Sequence, residues 1–271
     1  MINGGGQSEN VIEVRGLKTQ FGDFIVHEDL DLDVKSGEIL GVVGGSGSGK
    51  SVLMRAIIGL KRPSAGTVRV FGEDYYASTE AERLAIERRW GVLFQGGALF
   101  SSLTVAQNVM APVNEHLHVP KLLAHDIAAL KISMSGLPLE AGAKYPSELS
   151  GGMNKRAGLA RALALDPEIV FLDEPTAGLD PIGAAKFDEL IVNLKESLGL
   201  TVFMVTHDLD TLHASCDRVA VLAEKRVISC GSIDDVRRAD HPWIREYFSG
   251  PRGRAAFASF RADEGTRPYR S

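Results

Sequence analysis

Gly44-Gly-Ser-Gly-Ser-Gly-Lys50-Ser51 fits the pattern GxxxxGK[ST] and decides the reading of the whole chain. It follows Ile39–Val43, a short, almost entirely apolar run of the kind that forms a strand buried on both faces. It precedes Val52–Leu60, whose apolar residues recur with helical periodicity. Strand, glycine loop and helix in that order place a ring of backbone N–H groups at a helix N-terminus. There the peptide dipoles and the free amides together favour an anion. The glycines Gly44, Gly45, Gly47 and Gly49 let the backbone curl inward, with Ser46 and Ser48 between them. Lys50 is then placed for β- and γ-phosphates and Ser51 for Mg²⁺, with Val52 completing the loop. This is the start of a nucleotide-binding α/β domain.

Outward from the loop, Ile169-Val-Phe-Leu-Asp173-Glu174 is a second doubly buried strand that ends in two acids. Open α/β sheets bind ligands at the carboxyl ends of their strands, so Asp173 is expected opposite Ser51 as a metal-holding carboxylate. Glu174 is expected to polarise the attacking water. Val202–Thr206 is a third buried run, and Pro181–Leu198 is a helix between the two. Upstream, Val11–Lys18, Phe24–Val26 and Leu30–Val34 read as strands with a turn at Gly22-Asp23. Leu30, Leu32 and Val34 alternate with Asp31, Asp33 and Lys35, as in a sheet wetted on one face. Glu80–Arg89 reads as a helix and Val92–Phe94 as a strand. Residues from about 96 to 165 carry helical patterning with few strand signals, which suggests an inserted helical subdomain. Val219–Leu222 and Arg226–Ser229 form a hairpin around Glu224-Lys225.

Composition sets the limits. The chain has 271 residues, 44% hydrophobic and 24% charged, with a formal net charge of −5. An acidic balance is the opposite of the basic footprint of a nucleic-acid protein, so no nucleic-acid partner is expected. Cys216 and Cys230 are too few for a disulfide framework and read as small apolar residues. No stretch reaches the roughly 18–20 apolar residues that cross a bilayer. Residues 1–10 have no basic or apolar core and read as a flexible leader, and Ile2 stands where myristoylation needs glycine. Residues 11–240 are expected as one domain. Residues 241–271 are rich in Arg and Gly, with Trp243, Tyr247, Phe248, Phe257, Phe260 and Tyr269 scattered through them. They are read as a tail, either solvated or an arm docked on something.

Glu148-Leu-Ser-Gly-Gly-Met-Asn-Lys-Arg156 resembles the signature motif of the ABC ATPases, usually LSGGQ. The resemblance runs from about Val11 to Asp240. It implies a P-loop NTPase core with an N-terminal antiparallel β subdomain and an inserted helical subdomain. It implies an ATPase, with ATP and Mg²⁺ as cofactors, working as a homodimer in which Ser150, Gly151, Gly152 and Met153 of one copy close on the ATP of the other. Met153 departs from the usual Gln and removes a polar side chain, while the serine hydroxyl and glycine amides are kept. Further positions match one by one. Phe21 resembles the aromatic that stacks on adenine in the family, with Phe24 as the rival. Gln95 is the Q-loop glutamine near Mg²⁺ and water, Asp180 ends the D-loop Ala177-Gly-Leu-Asp180, and His207 is the switch histidine.

Phe94-Gln-Gly-Gly-Ala-Leu-Phe-Ser-Ser-Leu-Thr-Val105, together with the Met-Asn-Lys-Arg signature, is similar to the ATPases of Mla/Mce-type lipid transport. That branch implies phospholipid transport between inner and outer membranes. It also implies an integral-membrane permease dimer, a Mce-domain lipid-binding subunit and a small STAS-like regulatory subunit. The chain would sit peripherally on the cytoplasmic face of the bacterial inner membrane. Ala98, Leu99 and Phe100 are either apolar surface for the permease or helical-subdomain core. The tail would reach across to the partner ATPase subunit. Importers of amino acids and exporters of other solutes share every catalytic motif and stand as the alternative.

Overall fold

A computed structural model describes residues 10–249. The chain opens with β1 (Asn10–Phe21) and β2 (Phe24–Lys35), an antiparallel pair joined by the Gly22-Asp23 turn. β2 is one strand where two are expected from sequence. Asp29, at φ 52°, makes a bulge there. A second register shift, at Val26, leaves Val26 and His27 both buried and hides the period of two. Next come β3 (Ile39–Gly44), α1 (Lys50–Ile57), β4 (Ala65–Val70) and β5 (Glu73–Asp74). The helix starts two residues before Val52, directly from the glycine loop. α2 (Glu80–Glu87) is closed by a reciprocal capping box between Thr79 and Glu82. β6 (Trp90–Leu93) follows.

The helical insertion contains α3 (Val105–His116), α4 (Lys121–Met134) and α5 (Gly151–Ala162). Val109, Val113, Ala128, Ile132, Ala157 and Ala160 form its own core. β7 (Ile169–Asp173), α6 (Pro181–Leu198), β8 (Thr201–Val205) and α7 (Leu209–Ser215) carry the chain back into the main sheet. It ends with β9 (Arg218–Ala223), β10 (Arg226–Gly231), α8 (Ile233–Arg238) and α9 (Pro242–Ser249).

Two sheets result, in the orders β2-β1-β4-β5 and β10-β9-β3-β8-β7-β6. The first is antiparallel, and in the second only the edge strand β10 runs antiparallel to its neighbour. Every residue of β3, β7 and β8 is buried, as apolar strands covered on both faces must be. One core joins the two sheets through Ile12, Leu17, Leu30, Met54, Phe171 and Phe203. Another packs Phe187, Ile191 and Leu194 of α6 on Val170, Leu172 and Met204. β3, β7 and β8 end side by side and therefore deliver Gly44, Asp173 and Thr206 to one crevice.

The expected domain boundary at residue 240 needs correction. Ile244 and Phe248 of α9 are buried with Val43, Leu209, Val219 and Val221, so this helix belongs to the body of the domain. Phe257, Phe260 and Tyr269 lie outside the described residues, as do residues 1–9. Among the described residues no helix is long and apolar enough to cross a membrane.

Candidate nucleotide site

The loop Gly44–Gly49 curls because two of its glycines take positive φ, 77° at Gly47 and 98° at Gly49. At Gly49 a Cβ would fall 2.4 Å from Nε2 of His27, so the position is closed to other residues by sterics as well as by φ. Lys50 Nζ donates to the carbonyls of Gly44 (2.8 Å) and Gly45 (3.1 Å) and thereby arches over the loop. Burial lowers its pKa, and Glu174 and Asp173 oppose that shift. Ser51 Oγ donates to Asp173 Oδ1 at 3.0 Å across the end of β7, which joins the loop to the strand-end acid.

Glu174 takes a left-handed backbone conformation, φ 51°. It is held there by its own N–H on Val205 O (2.8 Å) and by Lys155 Nζ donating to its carbonyl (2.8 Å). Its Oε2 lies 2.7 Å from His207 Nδ1, so acid and histidine already meet at the strand ends. An unusual backbone held from both sides at a cluster of polar side chains marks a functional site.

Lys50, Ser51, Glu174 and His207 line a cavity of about 1200 Å³, with Asp173 behind Ser51 and outside the lining. Gly44, Gly45, Ser46, Gly47, Gly49, Lys50, Ser51 and Val52 form its floor, with Gln95, Glu174 and His207 on one side. Ser48 lies just behind, with its hydroxyl buried. Phe21 and Phe24 stand opposite each other across the first hairpin turn, 53% and 69% exposed, and both line the mouth. Lys61 Nζ sits 4.2 Å from the Phe21 ring centroid. Both rings remain available to a flat base.

Ser150, Gly151, Gly152 and Met153 do not line this cavity, and neither does Asp180. Ser150 caps α5, accepting from Met153 N at 3.3 Å. Asp180 caps α6, accepting from Gly183 N at 3.0 Å.

Sequence reasoning missed several residues here. Trp243, Glu246 and Tyr247 line the cavity from α9. Trp243 and Tyr247, expected as anchors for a partner subunit, stack on each other at 4.7 Å. Tyr247 Oη donates to His207 O at 2.9 Å. Burial raises the Tyr247 pKa, so the hydroxyl keeps its proton. His27, beneath the loop, is held neutral by burial with its pKa down to about 4, and its Nδ1 pairs with Thr19 Oγ1 at 2.8 Å. Only the apolar spacing of Ile244 and Phe248 in the sequence hinted that this segment packs down.

A second cavity, of about 600 Å³, lies between the helical insertion and the main sheet. Ala98 and Phe100 line it beside Phe94, Pro112 and Arg161, whereas Leu99 packs into the helical core.

A curled glycine loop opening a helix, a strand-end acid beside its serine and a second acid paired with histidine are the arrangement of a P-loop nucleotide hydrolase. The family described as ABC transporter matches residues 27–177. The chain is 37% identical to the intermembrane phospholipid transport ATP-binding protein MlaF of Haemophilus influenzae, over 90% of this chain and 92% of that one. It is 38% identical to a probable ribonucleotide transport ATP-binding protein of Mycobacterium leprae, over 94% of this chain and 73% of that one. It is 44% identical to the methionine import protein MetN of Caulobacter vibrioides, over 76% of this chain and 62% of that one. Among solved structures, the dimeric ATP-binding cassette MJ0796 with ADP and Pi superposes with a TM-score of 0.75 and 28% identity, covering 82% of this chain and 98% of that one. The chain belongs to the ABC transporter family, and it is an ATP-binding, ATP-hydrolysing subunit.

Proposed function

We propose that this subunit drives phospholipid transport between two membranes. The observation that carries the reading is similarity to MlaF along nearly the whole of both chains. The Met-Asn-Lys-Arg form of the signature and the segment after Gln95 point the same way.

In this reading the Gly44–Gly49 amides and Lys50 hold the phosphates, and Phe21 or Phe24 takes the adenine face. Ser51, Asp173 and Gln95 offer hard oxygen donors, the chemistry that suits Mg²⁺. Among the described residues no group of three or more His, Cys, Asp or Glu could hold a metal, so the remaining ligands would be phosphate and water oxygens. Mg²⁺ bound there neutralises charge on the β- and γ-phosphates. Glu174 orients and deprotonates the attacking water, with His207 beside it. The signature residues Ser150–Met153 lie away from the cavity of their own chain, so a second copy presents them to the γ-phosphate, with Asp180 near the partner. Two ATP molecules then hold the homodimer shut, and hydrolysis releases it. The groove lined by Ala98 and Phe100 receives the integral-membrane permease dimer. A Mce-domain lipid-binding subunit and a STAS-like regulatory subunit complete the assembly, on the cytoplasmic face of the inner membrane.

The test is purification of the chain co-expressed with its neighbouring genes, followed by mass spectrometry of the proteins and lipids that travel with it. A permease, a Mce-domain protein and enriched phospholipid support the reading. The identity to MetN over three quarters of the chain favours an amino-acid importer as second reading. A permease of the amino-acid or drug type, without lipid enrichment, would leave the ATPase assignment standing and sink the lipid assignment.

A further inference from the structure

Asp188 is a buried carboxyl group that the chemistry above does not use. It lies on α6 facing α7, 3% exposed. A buried acid between two helices costs stability unless it is paired, and an apolar residue would fill the place at no such cost. Its surroundings are specific. Thr211, on α7, lies with Oγ1 3.0 Å from Asp188 Oδ2. Thr176, in the turn that carries the chain from Glu174 to Asp180, lies with Oγ1 3.2 Å from Thr211 Oγ1. Ser215 Oγ donates to Thr211 O at 2.7 Å and locks the same turn of α7. Thr176 and Thr211 are both buried. The chain Asp188–Thr211–Thr176 therefore ties three elements together: the D-loop helix, the helix that follows His207, and the turn that follows Glu174.

The direction of the chain depends on the proton of Asp188. A carboxylate can only accept, so Thr211 would donate to Oδ2 and Thr176 to Thr211. Oδ1 is buried with no partner in either state, which costs more when the group is charged. A neutral acid donates to Thr211, which donates to Thr176, and the poorly solvated charge disappears. Burial is the first cause that raises the Asp188 pKa, to about 7, while the Thr211 hydrogen bond opposes it and the like charges of Asp208 and Asp210 add to it. Cys216, which also faces Asp188, has its thiol pushed up to about 12 by burial and brings no charge. Since the folded pKa is raised, the neutral acid predominates below pH 7 and is lost as pH rises through it.

We propose that Asp188 is a positioning residue for ATP hydrolysis: as a neutral acid it donates into the Thr211–Thr176 chain and fixes the Glu174–Asp180 turn against the helix that carries His207. The inference rests on hydrolysis by this fold and is independent of which solute the complex moves.

The experiment is the pH profile of steady-state ATP hydrolysis by the full-length chain from pH 6 to 8.5, with wild type, Asp188→Asn, Asp188→Ala and Thr211→Val. In the wild type kcat falls about threefold as pH rises through 7, because ionisation reverses the chain and buries a charge between the two helices. Asp188→Asn keeps a donor and does not titrate, so its kcat at pH 6.5 stays within about twofold of wild type and the step vanishes. Asp188→Ala lowers kcat about tenfold at pH 6.5 with a KM for ATP changed less than about twofold. Thr211→Val keeps the shape, removes the hydroxyl and matches the alanine variant; it decides the matter where Asp188→Ala fails to fold. An Asp188→Asn enzyme that retains the wild-type step, or a Thr211→Val enzyme with the wild-type profile, overturns the proposal. A wild-type profile flat between pH 6 and 8 does the same.

Discussion

Glu174 is useful only if its carboxylate is aimed, and the aim is set by the backbone on which it rides. A glutamate at φ 51° is unfavourable by about 1–3 kcal/mol unless its surroundings over-determine it. Two contacts do so: the N–H bonded to β8, and the carbonyl bonded to Lys155. Lys155 is a buried ammonium on the signature helix, and burial lowers its pKa, with Glu174 opposing the shift. A charged donor to a carbonyl is worth about 1.5–3 kcal/mol, so Lys155→Met is expected to lower kcat about tenfold to a hundredfold. Lys155 does not line the cavity, and KM for ATP should hold within about twofold, which steady-state kinetics will separate. A rise in KM with kcat unchanged would place the lysine in nucleotide binding instead. Lys155 could be quoted from the sequence as part of a motif, but not given this work. Its partner lies nineteen positions away on another element, and only packing brings the two together.

At the scale of elements, α9 changes what the C-terminal region is for. Ile244 and Phe248 drive it into the core, which turns Trp243 and Tyr247 toward the glycine loop and His207. Trp243 Nε1 stands 3.5 Å from where a Cβ of Gly45 would be, and Tyr247 holds the His207 carbonyl. Tyr247→Phe removes one hydrogen bond worth about 1 kcal/mol and leaves the stack in place. Hydrolysis should slow about fivefold, with ATP affinity measured by fluorescence titration nearly unchanged. An unchanged kcat would mean that the bond only closes the surface.

Where elements are periodic, they were legible in the sequence. The three buried runs, the helix Pro181–Leu198 and the hairpin around Glu224-Lys225 stand where their patterns put them. Those two turn residues take φ of 49° and 67°, as a tight hairpin requires. The illegible elements are short or interrupted. β4 and β5 bury only Val68 and Val70 between them. α7 and α8 have seven and six residues, too few for a helical period to declare itself. The site was legible as separate motifs. The links between them, Ser51 to Asp173, Glu174 to His207 and Asp188 to Thr211, are contacts that a linear pattern does not contain.

For the whole molecule, the arrangement of anion sites decides the working unit. The cavity gathers the loop, Glu174, Gln95 and His207 from one chain, while Ser150 and Gly151 are exposed at the start of a helix elsewhere. A free helix N-terminus with glycine amides is complementary to a phosphate already gripped from the other side. In the function proposed above, a second chain supplies that helix end and so encloses the γ-phosphate. On that proposal, two such sites occupied by ATP hold two chains together, and hydrolysis releases them. Glu174→Gln keeps the shape of the site and removes the base, so with ATP and Mg²⁺ this variant should run as a dimer by size exclusion with light scattering. It should run as a monomer with ADP. Adding Ser150→Arg, which sets a bulky cation at the helix start, should restore the monomer with ATP while each chain still binds nucleotide. A Glu174→Gln chain that is monomeric under saturating ATP would show that closure needs the permease to bring the two copies together, and the energy of the cycle would then have to be read from the full complex.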